Sequence, residues 1–232
     1  MLTTEQKHGQ LIVLDLEMNP VKGEEAARLA REVIEIGAVR VCNNEIADSF
    51  QTYVKPSFSN NVSPYIRRLT GINDANIRHA PSFADAMHKL AEWIGAESGV
   101  VICTWSDADK RQIMEESAVK TVTIPGNLDV FEDVQLLHHE KFGADITRKQ
   151  MALHKAAQQY GIMMSKKESH SALYDSKITA EILIQLLTGR YQRQAYYIRK
   201  AAQDRDVSSS GTLIGDLCKG VFEQMKLQTA RA

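Results

Sequence analysis

Two carboxylates, Asp15 and Glu17, close an apolar stretch, Gln10-Leu11-Ile12-Val13-Leu14-Asp15-Leu16-Glu17. At the strand period of two they project from one face. Adjacent acids on an apolar sheet repel each other and lose hydration, and a bound cation relieves both penalties. Oxygen ligands with no Cys or His between them suit Mg²⁺ or Mn²⁺ rather than Zn²⁺. Two further stretches carry groups of the same kind. Thr104-Trp105-Ser106-Asp107-Ala108-Asp109 offers two acids, and His170-Ser171-Ala172-Leu173-Tyr174-Asp175 places an imidazole five residues ahead of a carboxylate. Each stretch alone has a plain structural explanation. Asp15 and Glu17 suit a solvated strand end or a helix cap, Asp107 and Asp109 suit a first helical turn, and His170 and Asp175 suit a solvated helix face. Three such stretches in one chain are harder to explain separately.

The elements that would position these groups follow from the pattern. Leu11–Leu16, Val33–Cys42 and Ile46–Val54 read as strands. Asn43-Asn44-Glu45 has a tight-turn composition, so the first three strands form an antiparallel meander. The charged segment Asn19–Arg31 is expected to hold a short helix over Glu24–Arg31. Ser63-Pro64 fits a helix cap followed by Pro at the first helical position, with Gly71 ending that helix. Pro81-Ser82 opens a helix over Phe83–Gly95, with apolar residues at Phe83, Met87, Leu90, Ala91 and Ile94. Val100–Thr104 and Leu128–Val134 read as the fourth and fifth strands, and Asp107–Ser117 as a helix between them. Helices over Val134–Phe142, Arg148–Tyr160 and Ser171–Leu187 complete an α/β fold: a mixed five-stranded sheet, antiparallel in its first three strands, flanked by helices. Residues 1–190 are expected to form this domain, and 191–232 a C-terminal helical extension packed on it. Ser208-Ser209-Ser210-Gly211 marks a linker, and beyond it Leu213, Ile214, Leu217, Val221, Phe222 and Met225 share a helical stripe. The stripe reads first as core packing and second as a homodimer contact.

Composition narrows the class. A chain of 232 residues, 44% hydrophobic and 25% charged, can bury one sizeable core. A net charge of −1 excludes a strongly basic nucleic-acid binder. It does not exclude chemistry on nucleic acid, because bound metal adds local positive charge that the count omits. Aromatic content of 6% argues against a base-stacking sheet. Three well-separated cysteines, Cys42, Cys103 and Cys218, form no Cys-x-x-Cys and point to a reducing compartment. The polar start and the absence of a long apolar run predict no signal peptide and no membrane partner. A cytoplasmic location is the expectation.

An acidic strand pair, an acid after the fourth strand and a late His-x₄-Asp, in that order, resemble the DEDD exonucleases of the His-containing kind (DEDDh), a branch of the ribonuclease-H-like superfamily. Val33-Ile34-Glu35-Ile36-Gly37-Ala38-Val39 is similar to the family's second strand, and Leu69-Thr70-Gly71-Ile72 followed by Ala80-Pro81 to a frequent helix-loop feature. The likeness runs from about Leu11 to Leu187. It implies that Asp15, Glu17, Asp109 and Asp175 are metal-binding carboxylates and that His170 is a general base. It favours Asp109 over Asp107, because the family's ligand usually sits directly before the helix body and after a non-acidic residue. It implies two divalent cations, Mg²⁺ or Mn²⁺, and 3′-to-5′ release of nucleoside 5′-monophosphates from single-stranded nucleic acid. Many members carry His-Asn-x-x-Phe-Asp where this chain has Thr104-Trp105-Ser106-Asp107-Ala108-Asp109. The Trp form is similar to the RNA-trimming subgroup that includes the histone-mRNA 3′ exonucleases, whereas Asp15-Leu16-Glu17-Met18 is similar to oligoribonuclease. RNA is therefore favoured slightly over DNA. Lys166 and Lys167 beside His170, Trp105 and Met18 are the expected substrate contacts. The alternative is a catalytically silent nucleic-acid-binding module of the same fold, which would be expected to have lost one of the five site residues; this chain keeps all five.

These residue types answer the demands of phosphodiester hydrolysis. Two cations about 3.5–4 Å apart can serve the attacking oxygen, the phosphate and the leaving oxygen together. Holding both takes several converging carboxylates, with Asp15 suited to bridge. A His near neutrality can take the proton of the attacking water, a contribution on the order of 10²–10⁴-fold.

Overall fold

The structure, a computed structural model, describes residues 10–96, 99–142, 151–165 and 170–190. All of them fall in the first of the chain's two units, Met1–Gln192 and Arg193–Ala232. The expected extension over 191–232, its linker and its apolar stripe lie outside the described residues, as do Lys166 and Lys167.

Five strands form one sheet: β1 (Leu11–Pro20), β2 (Arg31–Cys42), β3 (Glu45–Tyr53), β4 (Val101–Thr104) and β5 (Phe131–Asp133), in the order β3-β2-β1-β4-β5. The first three pair antiparallel, while β4 runs parallel to β1 and β5 parallel to β4. The β2–β3 hairpin turns on Asn43 and Asn44 at φ 52° and 63°, the left-handed conformation that Asn tolerates best among non-glycine residues.

Seven helices are described: α1 (Pro64–Thr70), α2 (Asp74–Arg78), α3 (Phe83–Ile94), α4 (Asp107–Lys120), α5 (Val134–Phe142), α6 (Leu153–Gln159) and α7 (Ala172–Thr188). Ser63 caps α1 by accepting from the Ile66 N–H, and Gly71 ends it at φ 77°. Ser82 caps α3, whose Phe83, Met87, Leu90 and Ile94 are buried. Three expectations change. The helix expected over Glu24–Arg31 is a five-residue 3₁₀ turn, Gly23–Ala27. β1 runs on to Pro20 and pairs there with Arg31, so only a short link remains between the strands. The fifth strand shrinks to three residues after a 3₁₀ turn at Gly126–Leu128.

β1 is covered on both faces. Leu11 and Val13 pack with Val39, Val41, Ile178 and Ile182 under α5, α6 and α7. Ile12, Leu14 and Leu16 pack with Phe83, Leu90 and Ile113 under α3 and α4. A bulge shifts the β1–β2 register between Glu17 and Met18. Beside it the Val33 N–H donates to Glu116 Oε2 of α4 at 2.9 Å. Lys120 of α4 donates to Glu116 at 2.7 Å and to Glu32 of β2 at 2.8 Å, both carboxylates being buried. Glu32 also accepts from the N–H groups of Ser57, Phe58 and Ser59. This buried polar network fixes α4 to β2 and so fixes what the start of α4 carries. Among the described residues no helix is long and apolar enough to cross a membrane.

Candidate active site

The stripe Leu11, Val13, Asp15, Glu17 lies along one face of β1 and turns from apolar to acidic as the strand leaves the core. Parallel pairing puts the carboxyl ends of β1 and β4 together, the usual place for a site in an open α/β sheet. α4 starts at the end of β4, where Ser106 caps it by accepting from the Ala108 N–H at 3.3 Å. Three residues in, Asp109 is 7% exposed and accepts from the backbone N–H of Leu16. Asp107 instead faces solvent and pairs with Arg111 at 3.2 Å. The chain's own geometry therefore directs Asp109, not Asp107, toward β1.

α7 reaches the same point because of Gly37, which pairs with Asp15 across the β1–β2 ladder. A Cβ on Gly37 would fall well inside 3.0 Å of the Leu173 nitrogen and the Ala172 carbonyl carbon. Only glycine lets the first turn of α7 lie against β2 this closely. Asp175 follows in that turn, its N–H donating to the Ser171 carbonyl at 2.9 Å. His170 precedes the helix in the left-handed region, φ 66°, exposed at the rim. Ligand atoms of Glu17, His170 and Asp175 all lie within 4.8 Å of one another.

Electrostatics bind the acids into one group. Burial, then repulsion from Asp109, Asp175, Glu17 and Glu35, holds the Asp15 carboxyl well above the usual range. Burial, then Asp175, Glu35 and Asp109, pushes Glu17 up to about 9. Asp109 rises to about 7 through burial, moderated by the N–H groups of Leu16 and of Asp109 itself. Asp175 is also raised by burial, and His170 partly offsets this. Its Oδ1 is buried without a hydrogen-bond partner. An all-carboxylate set with an imidazole at its edge, strong mutual repulsion and an orphaned carboxylate oxygen fits a hard divalent cation.

The remaining expected contacts are placed differently from one another. Trp105, an expected substrate contact, lies in the core with 8% exposure. Its indole N–H donates to the Met151 carbonyl at 2.9 Å, and its ring packs beside His138. Burying the indole with its N–H satisfied outweighs exposing it. Met18 is partly buried against the cluster under α3 and α4. Glu35 did not figure among the candidate residues. It is 2% exposed and accepts from the Ala172 N–H at 3.0 Å and from Gln51 Nε2 at 2.6 Å. A lone carboxylate inside the otherwise apolar run Val33–Val39 is the signal that could have revealed it.

The chain is similar to known proteins along most of its length. The sequence profile of the exonuclease (RNase T) family, which is divalent-metal dependent, matches residues 12–183. A PolC-type DNA polymerase III of Caldanaerobacter subterraneus subsp. tengcongensis is 28% identical over 179 residues, 77% of this chain but 12% of the polymerase. The probable 3′-5′ exonuclease KapD of Bacillus subtilis is 25% identical over 178 residues, 76% of this chain and 83% of KapD. The nuclease domain of 3′hExo, a DEDDh family member solved bound to rAMP, superimposes with a TM-score of 0.67 at 20% identity, covering 78% of this chain and 93% of that domain. The chain thus spans a small part of the polymerase and most of KapD and of the 3′hExo nuclease domain. With the profile covering most of the described sheet and every segment that carries a candidate ligand, this chain belongs to the exonuclease (RNase T) family and has its ribonuclease-H-like α/β fold.

Proposed function

We propose that this chain is a 3′–5′ exonuclease that releases nucleoside 5′-monophosphates from single-stranded nucleic acid, with RNA slightly favoured over DNA. The observation that carries this reading is the meeting of Glu17 from β1 with Asp175 and His170 at the start of α7, ligand atoms within 4.8 Å of one another, with Asp15 of β1 and Asp109 of α4 near enough to repel Glu17 or each other. Those four carboxylates would hold two divalent cations, Mg²⁺ or Mn²⁺. Bound there, the cations supply positive charge to the phosphate and Lewis acidity at its reacting oxygens.

The chain's residues account for the rest. His170 is exposed and aimed at Glu17 and Asp175, so it can take a proton from water at the rim. The Leu16 N–H and the α4–β2 network hold Asp109 in place, and Gly37 sets the depth of Asp175. KapD's description as a probable 3′-5′ exonuclease supports the polarity. The RNA preference rests on the Trp105-x-x-x-Asp109 pattern. Lys166 and Lys167 would meet the backbone phosphates. Residues 1–190 would form the exonuclease domain and 191–232 an appended helical extension. Matched 5′-labelled RNA and DNA oligonucleotides, with Mg²⁺, Mn²⁺ or chelator and products resolved at nucleotide steps, test the proposal. A ladder shortening one nucleotide at a time, silenced by chelator, is expected. Internal cleavage, or cleavage in excess chelator, would overturn it.

A further inference from the structure

Ser171 occupies the cap position of α7 but makes no side-chain capping bond. Four N–H groups begin every helix without an internal partner, and one left buried is costly. At α7 a residue from the sheet supplies the acceptor: Glu35 Oε2 takes the Ala172 N–H at 3.0 Å. Glu35 Oε1 takes Gln51 Nε2 of β3 at 2.6 Å, so both oxygens are held by donors on different elements. The carboxylate is 2% exposed and rigidly seated. The segment it fixes is His170-Ser171-Ala172, in which His170 adopts a left-handed φ of 66°, uncommon for a non-glycine residue.

We propose that Glu35 is a positioning residue for the reaction: its hydrogen bond to the Ala172 N–H substitutes for a local helix cap and holds His170 in register with Glu17 and Asp175. The inference rests on the exonuclease reading above. It requires reach, not charge, from residue 35. The gap bridged from β2 to the α7 backbone is the length of a glutamate side chain, while a neutral amide oxygen can accept the same N–H. Glu35→Gln keeps the reach, and the Gln51 amide can rotate to offer its oxygen to the new NH₂ group. Glu35→Asp keeps the charge and withdraws the acceptor by one methylene. Both variants are isosteric or smaller, so overpacking does not arise.

The experiment has two arms. In the metal-free protein, hydrogen exchange of the Ala172 amide is measured. Protection is expected in the parent chain and in Glu35→Gln, with exchange about tenfold faster or more in Glu35→Asp. In the metal-loaded enzyme, kcat is expected to fall about tenfold or more for Glu35→Asp with KM little changed, and to stay within about threefold for Glu35→Gln. Adding Glu35→Asp to His170→Ala is expected to cost little further rate, because the two act through one group. A Glu35→Gln variant as impaired as Glu35→Asp, an Ala172 amide indifferent to both, or fully additive losses with His170→Ala would overturn the proposal. If the parent chain releases no nucleotides, the exonuclease reading fails, and the exchange arm still decides whether Glu35 caps α7.

Discussion

Glu17→Gln is expected to make the metal-free protein more stable at pH 8 while abolishing its response to metal. The folded state raises the Glu17 carboxyl from 4.5 to about 9, chiefly by burial and then by repulsion from Asp175, Glu35 and Asp109. A group raised on folding contributes stability that is fully present below its unfolded value and is lost as pH rises through the folded one. Between pH 5 and pH 8 unfolded Glu17 ionises while folded Glu17 stays protonated, which lowers stability by about 4 kcal/mol as a ceiling. Asp109, raised to about 7, acts in the same sense. Neighbouring carboxylates share the proton uptake, so removing Glu17 alone should shrink the loss of stability between pH 5 and pH 8 by about 2 kcal/mol. The assay is urea unfolding in chelator at several pH values from 5 to 8.5, repeated with millimolar Mn²⁺. Parent stability should fall with pH in chelator and recover on adding Mn²⁺, more strongly at pH 8 than at pH 5.5, because binding must displace protons. A parent curve that is flat or rises with pH in chelator, matched by the same curve for Glu17→Gln, would refute the claim of a repelling acid cluster.

Asp109→Ala should abolish turnover with the fold intact, whereas Asp107→Ala, which breaks only a solvent-exposed pair with Arg111, should leave the rate near normal; comparing steady-state rates of the two checks this. His170→Ala should lower the rate by roughly 10²-fold while Mn²⁺ binding by calorimetry persists. A large loss of Mn²⁺ affinity with near-normal turnover at saturating metal would make this His a ligand. Gly37→Ala should cost about 3 kcal/mol or more in chemical unfolding and remove activity together, since the new methyl meets the backbone of α7 and must push Asp175 away.

Asp15 and Glu17 were legible because an apolar run with a period of two leaves no doubt which residues share a face. The caps at Ser63 and Ser82 were legible because capping chemistry is local. Helix α2 escaped notice because five residues show no periodicity, although Asn73 and Asn76 form a capping box. Trp105 sits in the core for a tertiary reason. Its indole N–H is satisfied by the Met151 carbonyl, 46 residues away, which no local pattern announces. Glu35 and the Lys120, Glu32 and Glu116 network share that property. Their partners lie 137 residues apart for Glu35 and Ala172, and 88 for Lys120 and Glu32. A lone polar residue in an apolar strand signals that a partner exists but not which one. In place of the Glu24–Arg31 helix stands a 3₁₀ turn over Gly23–Ala27, and β2 takes Arg31, the last residue of the expected helix.

Whether the four carboxylates hold the metal is tested most directly by locating bound Mn²⁺ through anomalous scattering in crystals grown with a nucleoside 5′-monophosphate. Anomalous density is expected enclosed by the carboxylates of Asp15, Glu17, Asp109 and Asp175, with the phosphate beside it and His170 at the edge. Strong density at another cluster, with those four carboxylates free of metal in a protein that still hydrolyses oligonucleotides, would contradict it.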